Sequence, residues 1–186
     1  VNTCINIVKL LIDYGADINK ADNNGWTPLH VVIDSDCYCE EIIELLITHG
    51  ADLNKVDKYG RNSLDFAISD NNKKIAELLI SNGADINKAD NKGWTTLQVA
   101  SLINNKEIVE LLLAKGADIN KADNDGWTPL YRAVWVKNKE IAELLISHGV
   151  DINKADNKGK TALDIAKEKN FTEIIKILEY HTKIKP

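Results

Sequence analysis

The chain has 186 residues, 23 basic and 28 acidic, a net charge of −5 and a hydrophobic fraction of 44%. The charges are interspersed without a basic stripe, which excludes the clustered Lys and Arg contacts that nucleic-acid binding relies on. No apolar run approaches the length of a membrane span and no signal-like segment opens the chain, so neither nucleic acid nor membrane is expected as a partner.

One phrase recurs along the chain. Gly15, Gly50, Gly83, Gly116 and Gly149 open successive copies, and Gly25, Gly60, Gly93, Gly126 and Gly159 close them, at a spacing of 33 residues with one step of 35. A fixed period of that length means a stacked array of small units. The opening Gly follows an apolar helical run and reads as a helix stop. The Asp-Asn-Asp-Gly at 123–126 bends the chain into a tight hairpin. Thr128-Pro129 then starts a new helix, with Thr as N-cap and Pro at the first helical position.

In chain order, residues 1–20 read as a truncated first copy, a second helix whose Ile5, Val8, Leu11 and Ile12 share one face. Residues 21–55 are the first full copy, with Thr27-Pro28-Leu29-His30 and two extra residues within 34–39, expected to bulge. Residues 56–88 start their first helix with Arg61-Asn62-Ser63-Leu64-Asp65, where Asn62 caps. The copies at 89–121 and 122–154 begin with Trp94-Thr95-Thr96-Leu97-Gln98 and Trp127-Thr128-Pro129-Leu130-Tyr131. Asn71 and Asn104 suit tight interhelical turns at positive φ. Residues 155–186 form a charged cap with Glu168, Lys169, Lys176 and Glu179, and 182–186 are expected to fray. The whole is expected to be one elongated domain, 1–186.

Three cysteines, Cys4, Cys37 and Cys39, are an odd number in a chain that needs no disulfides, and they point to a reducing compartment, the cytoplasm. Cys37-x-Cys39 has the wrong spacing for a metal or redox pair and reads as free thiols. Asp17, Asp22 and their counterparts recur in every copy, which favours turn hydrogen bonding over acid-base work or a metal. His49 and His148 precede helix-ending glycines, where a cation complements the helix dipole. No phosphate loop or nucleophile-base pair is present, so no catalysis, cofactor or metal is expected.

The 33-residue period, Thr-Pro-Leu-His at 27–30 and Gly-Ala-Asp-Ile-Asn at 15–19, 83–87 and 116–120 resemble the ankyrin repeat over essentially the whole chain. The resemblance implies an all-α fold: an α-solenoid of stacked helix-turn-helix units with projecting β-hairpin loops and a concave face of loop tips and first helices. It implies a protein-protein interaction module without catalysis. Asp65, Gln98, Tyr131 and Asp164 stand where the family favours His, which puts the usual hydrogen-bond chain in doubt. Asn87 and Asn120 match a position that family members can have hydroxylated.

The family's contact positions, carried onto this sequence, select Tyr59, Arg61, Lys92, Trp94, Leu102, Ile103, Asp125, Trp127, Trp135 and Val136. First helices end in polar pairs in most copies, such as Asp34-Ser35 and Ser69-Asp70, but in Leu102-Ile103 and Trp135-Val136 in two adjacent ones. Packed side by side, these would make an apolar patch, an interaction site by its nature. Trp26, Trp94 and Trp127 share one repeat position, and their rings either pack along the hairpins or belong to that site. The expected function is thus a monomeric module binding a protein partner, and the Asn, Lys and Ile richness fits a microbial protein acting on host proteins. The rival reading is the targeting segment of a longer enzyme or membrane protein, and self-association through the first helix or the patch is a third.

Overall fold

The computed structural model describes residues 2–35 and 39–184. Asp36, Cys37 and Tyr38 lie outside them, and with them most of the expected bulge and the Cys37 side of the cysteine pair. Cys39 is buried and its Sγ donates to Glu41 Oε2 at 3.4 Å, while the Cys4 thiol is exposed.

The described residues form helices and no strand: α1 (Asn2–Asp13), α2 (Pro28–Ile33), α3 (Glu40–Thr48), α4 (Ser63–Ser69), α5 (Lys73–Ser81), α6 (Thr96–Leu102), α7 (Lys106–Ala114), α8 (Pro129–Trp135), α9 (Lys139–Ser147), α10 (Ala162–Glu168) and α11 (Thr172–Ile184). Chain contacts gather them into two compact units, Val1–Lys88 and Ala89–Pro186, divided at a boundary between copies. In the first unit Leu29, Ile33, Ile43, Leu64, Ile68 and Leu79 are sealed from solvent. In the second, Leu97, Ile108, Leu112, Leu130, Ile141 and Leu145 are sealed likewise.

Local chemistry accounts for the helix boundaries. Thr95, Thr128 and Thr161 accept from the amides of Gln98, Tyr131 and Asp164, and Asn62 accepts from Leu64 and Asp65. Such caps satisfy amides that the first helical turn leaves orphaned. The second helices α5, α7 and α9 have their own caps in Asn72, Asn105 and Asn138, each accepting from the amide three residues on, whereas Cys39 ahead of α3 makes no side-chain cap. Asn71 and Asn104 make the interhelical turns at φ 59° and 62°. Lys137 and Asn170 do the same at 60° and 56°. Lysine has no side-chain aid to that conformation, so position 137 carries backbone strain its sister asparagines relieve.

The loops reverse direction as tight turns closed at both ends. Asp57 N donates to Arg61 O and Gly60 N to Asp57 O, and Asp123 N donates to Trp127 O and Gly126 N to Asp123 O. These are the expected hairpin loops, and among the described residues strand pairing in them is limited to one isolated bridge, Ala89 with Thr95. The recurring aspartates organise these turns. Asp22, Asp57, Asp90, Asp123 and Asp156 each accept two backbone amides through Oδ1, two and four residues on, at 2.8–2.9 Å.

Asparagine joins one copy to the next. Asn19 Oδ1 accepts from Asp52 N at 2.7 Å, Asn54 Oδ1 from Asp85 N at 2.7 Å and Asn120 Oδ1 from Asp151 N at 2.8 Å. The side chain of Asn120, a matched hydroxylation position, is thus committed to the array.

At the C-terminal end the helix does not fray at residue 182. α11 continues to Ile184, with Thr182 Oγ1 donating to Leu178 O, and Lys185 and Pro186 lie outside the described residues. Lys160–Glu168 and Lys167–Glu179, at 2.6 and 3.0 Å, neutralise much of the cap's surface charge. At the other end Ile5, Val8 and Ile12 are half-buried while Ile7, Leu10 and Leu11 are exposed.

His30 and three of its four replacements share the capping role, Tyr131 being the exception. His30 Nδ1, Asp65 Oδ2, Gln98 Oε1 and Asp164 Oδ2 all accept from the amide three residues earlier. Gln98 also reaches onward, its Nε2 donating to Lys121 O at 3.3 Å and Trp127 O at 2.5 Å, so the chain of bonds is maintained there by an amide. Burial pushes the His30 pKa below 6.5, against the opposing pull of the Asp57 charge and the Arg61 and Lys55 backbone. The neutral ring therefore stabilises the fold above pH 6.5, and that stability is lost as pH falls toward the depressed pKa. Asp22, Asp57, Asp156 and Asp164 are all held low and titrate in a more acidic window. The expected slope from this one proton is at most about 1.4 kcal/mol per pH unit. Urea unfolding at pH 7.5 and 5.0 checks it: His30→Gln, which copies the residue at position 98, is expected to flatten the difference, and an equal acid loss in both proteins removes His30 as its source.

Candidate functional site

The second unit brings the expected aromatic residues together around a side chain that sequence reading passes over. Arg132 stands where the other copies have Val31, Phe66, Val99 and Ile165. Its Nη2 pairs with Asp123 Oδ2, with both side chains almost wholly buried. The guanidinium Cζ lies 3.7 Å from the ring centre of Trp94 and 4.4 Å from that of Trp127, a sandwich between two copies. Trp127 stacks on Tyr131 at 4.5 Å and meets Trp135 at 5.0 Å. Lys169 Nζ then sits 3.6 Å from the Trp135 ring centre. A continuous series thus runs from Trp94 through Arg132, Trp127 and Trp135 to Lys169, in which Arg132 and Lys169 are each drawn to the negative face of a ring and Trp127 meets Trp135 ring to ring.

Tyr131 is fixed in the same cluster. Its hydroxyl donates to Asp156 Oδ2 at 3.2 Å, and burial together with the Asp156 charge pushes its pKa well above 10.0. On Asp156 burial acts upward, but the amides of Lys160 and Lys158 and the Tyr131 hydroxyl outweigh it and hold the carboxyl below its ordinary value.

At the outer edge of the cluster the helix ends carry apolar side chains. Ile103, Trp135 and Val136 are 36%, 39% and 40% exposed. Leu102 is half-buried, so three of the four residues expected to form the patch are exposed. The turns after α6 and α8 lie against each other, with Asn138 Nδ2 donating to Asn104 Oδ1 at 2.6 Å. Trp94 and Trp127 are half-buried, so their rings pack along the array and also back the surface. Lys92 and Asp125 are exposed at loop tips, their amides bonded to Asp90 and Asp123.

The other two selected residues belong to the first unit. Tyr59 is 54% exposed. Arg61 is half-buried, its Nε and Nη2 donating to Asp57 Oδ2 at 2.9 and 2.7 Å, and its Cζ lies 4.4 Å from the Phe66 ring centre. Trp26 meets Phe66 edge-on at 5.1 Å, the same step from one copy to the next that Trp94 makes onto Arg132. Arg132 is legible in the sequence as a lone charge in an apolar column. Lys169 carries no such signal, because a charged cap predicts it anyway.

Among the described residues no three His, Cys, Asp or Glu side chains converge as a metal site, and no helix is long and apolar enough to cross a membrane. What the arrangement offers is a firm aromatic surface with an apolar rim, suited to recognising another protein.

Helix pairs at a 33-residue period, capped by Thr or Asn and linked by Asp-centred turns, define an α-helical repeat protein. The chain belongs to the ankyrin-repeat family: the family described as ankyrin repeats (3 copies) matches residues 2–90 and 83–156. Ankyrin repeats are protein-protein interaction modules, generally without catalysis of their own. A shorter likeness links 24 residues, at 67% identity, to protein phosphatase 1 regulatory subunit 27 of Mus musculus and of Homo sapiens, over 13% of this chain and 16% of each relative.

Proposed function

We propose that the chain is a monomeric, non-catalytic module that holds a protein partner across the ends of α6 and α8. Ile103, Trp135 and Val136 serve as apolar anchors, with Leu102, Trp94 and Trp127 behind them. One observation carries the reading: at adjacent copies, positions that are polar elsewhere in the array hold exposed apolar side chains, and the helices beneath them are packed and capped. Folding does not require that exposure, whereas an interface does. A buried Trp anchor contributes about 2 kcal/mol or more to an interface. Lys92 and Asp125 are assigned to the polar rim, and Tyr59, oriented by Arg61, to a contact of the first unit. The odd cysteine count supports a cytoplasmic setting, a host's cytoplasm if a microbe delivers the protein.

The test compares the wild type with Ile103→Ser/Trp135→Gln/Val136→Ser in affinity capture from cell extract followed by mass spectrometry. The triple variant is expected to keep its helical circular dichroism and to lose at least tenfold of the captured partner. Equal capture by both proteins removes this surface from the reading. Sedimentation of the wild type checks the monomer, since self-association through the same residues would appear as a dimer that the variant abolishes.

A further inference from the structure

The cations beside the apolar surface constrain what can cover it. Lys169 Nζ rests on the Trp135 ring and donates to Trp135 O at 3.4 Å. Lys137, next to Val136, holds its Nζ 5.4 Å from the Phe171 ring centre. Both side chains are exposed, and among the described residues neither Nζ has a carboxylate within ion-pair distance. The nearest acidic neighbour in sequence, Glu168, is taken up by Lys160 at 2.6 Å. An otherwise acidic chain therefore presents a small positive island at the rim of its apolar patch. Lys137 is also the one lysine among four interhelical turns at positive φ, the other three being Asn71, Asn104 and Asn170, so a charge stands there in spite of its backbone cost.

Resting on the proposed docking surface, we infer that its occupant is an acidic-apolar segment. One or two aliphatic or aromatic side chains of that segment sit on Ile103, Trp135 and Val136, and its carboxylates receive Lys137 and Lys169. The reason is desolvation. A ligand that covers Trp135 must either bury the Lys169 ammonium or displace it, and an ammonium taken from water without a counter-charge is strongly disfavoured. A carboxylate on the ligand removes that penalty and draws Lys169 off the ring, opening the indole face. Elsewhere the net charge of −5 repels the same segment, so the island also sets where it lands.

A phage-displayed library of random dodecapeptides, panned on the full chain, tests this. Peptides selected on the wild type are expected to pair apolar anchors with Asp and Glu enriched at least threefold over the unselected library. Lys137→Asn/Lys169→Gln, whose first change restores the residue of the sister turns, is expected to select apolar peptides with acidic content back at background. Ile103→Ser/Val136→Ser, checked for helical circular dichroism, is expected to select neither kind. Apolar peptides without acidic enrichment on the wild type, or enrichment that survives the lysine changes, overturn the charge assignment and leave the docking surface standing. The same peptides selected on the serine variant, or no enriched peptide on the wild type, overturn both.

Discussion

Arg132→Met is expected to destabilise the protein by about 3 kcal/mol, the low end of what removing one partner of a buried ion pair costs. The methionine keeps most of the buried stem, so the loss comes from charge rather than a cavity. It strands Asp123, whose side chain is wholly buried, with two backbone amides as its remaining donors. It also removes the cation between Trp94 and Trp127. Lysine at this position is expected to recover less than half, because a point charge cannot lie flat between two indoles. Asp123→Asn/Arg132→Met should be more stable than Arg132→Met alone by about 1 kcal/mol or more, since the amide oxygen still accepts the turn amides and no lone charge is buried. Urea unfolding followed by tryptophan fluorescence reads all three. A loss below about 0.5 kcal/mol, as from an exposed pair, would show that the sandwich is not holding the cluster.

Gly126→Ala is expected to cost about 2 kcal/mol more than Gly159→Ala, the size of an overpacking penalty. Both glycines are at positive φ, 83° and 76°, so each substitution carries the same left-handed cost of about 1–2 kcal/mol. They differ in what lies beyond. A Cβ on Gly126 would stand 2.7 Å from the Asn157 amide nitrogen and 2.9 Å from Asp156 Cα, while one on Gly159 meets nothing within 4 Å. The difference arises because the loop at 156–159 lies against the one before it, with Asn157 N donating to Asp125 O at 3.0 Å and its Nδ2 to Asn124 O at 2.8 Å. Thermal melts of the two variants check it, and equal losses would mean that the loops give way without cost.

Much of the architecture is legible in the sequence because its signals are local. A Thr or Asn ahead of an apolar run, an Asp six residues before a helix start and a Gly after a helix end act over a few residues of backbone, and repetition supports each reading several times. The expected hairpin loops are present as Asp-closed turns, and among the described residues pairing as strands is limited to the Ala89–Thr95 bridge. The expectation of fraying from residue 182 fails, since the Thr182 hydroxyl finds the carbonyl of Leu178 and the helix goes on.

The candidate site is legible only in outline. Trp135 and Val136 stand out as an apolar pair in a polar column, and the structure exposes them. The role of Arg132 depends on Trp94, 38 positions earlier, and that of Lys169 on Trp135, 34 positions earlier. Neither separation has a periodicity of its own to announce it. Leu102 and Ile103 likewise differ in exposure, although the sequence places them side by side at one helix end.

By itself the amino-acid order determined the repeat, the helix pairs, their caps and the turns, because backbone preference and hydrophobic period are properties of a few neighbouring residues. Only the packing of successive copies decided which tryptophans are half-buried, which cations lie on their rings and which side chains remain facing water. Those outcomes depend on distances between copies, and a linear sequence does not contain such distances until the copies stack.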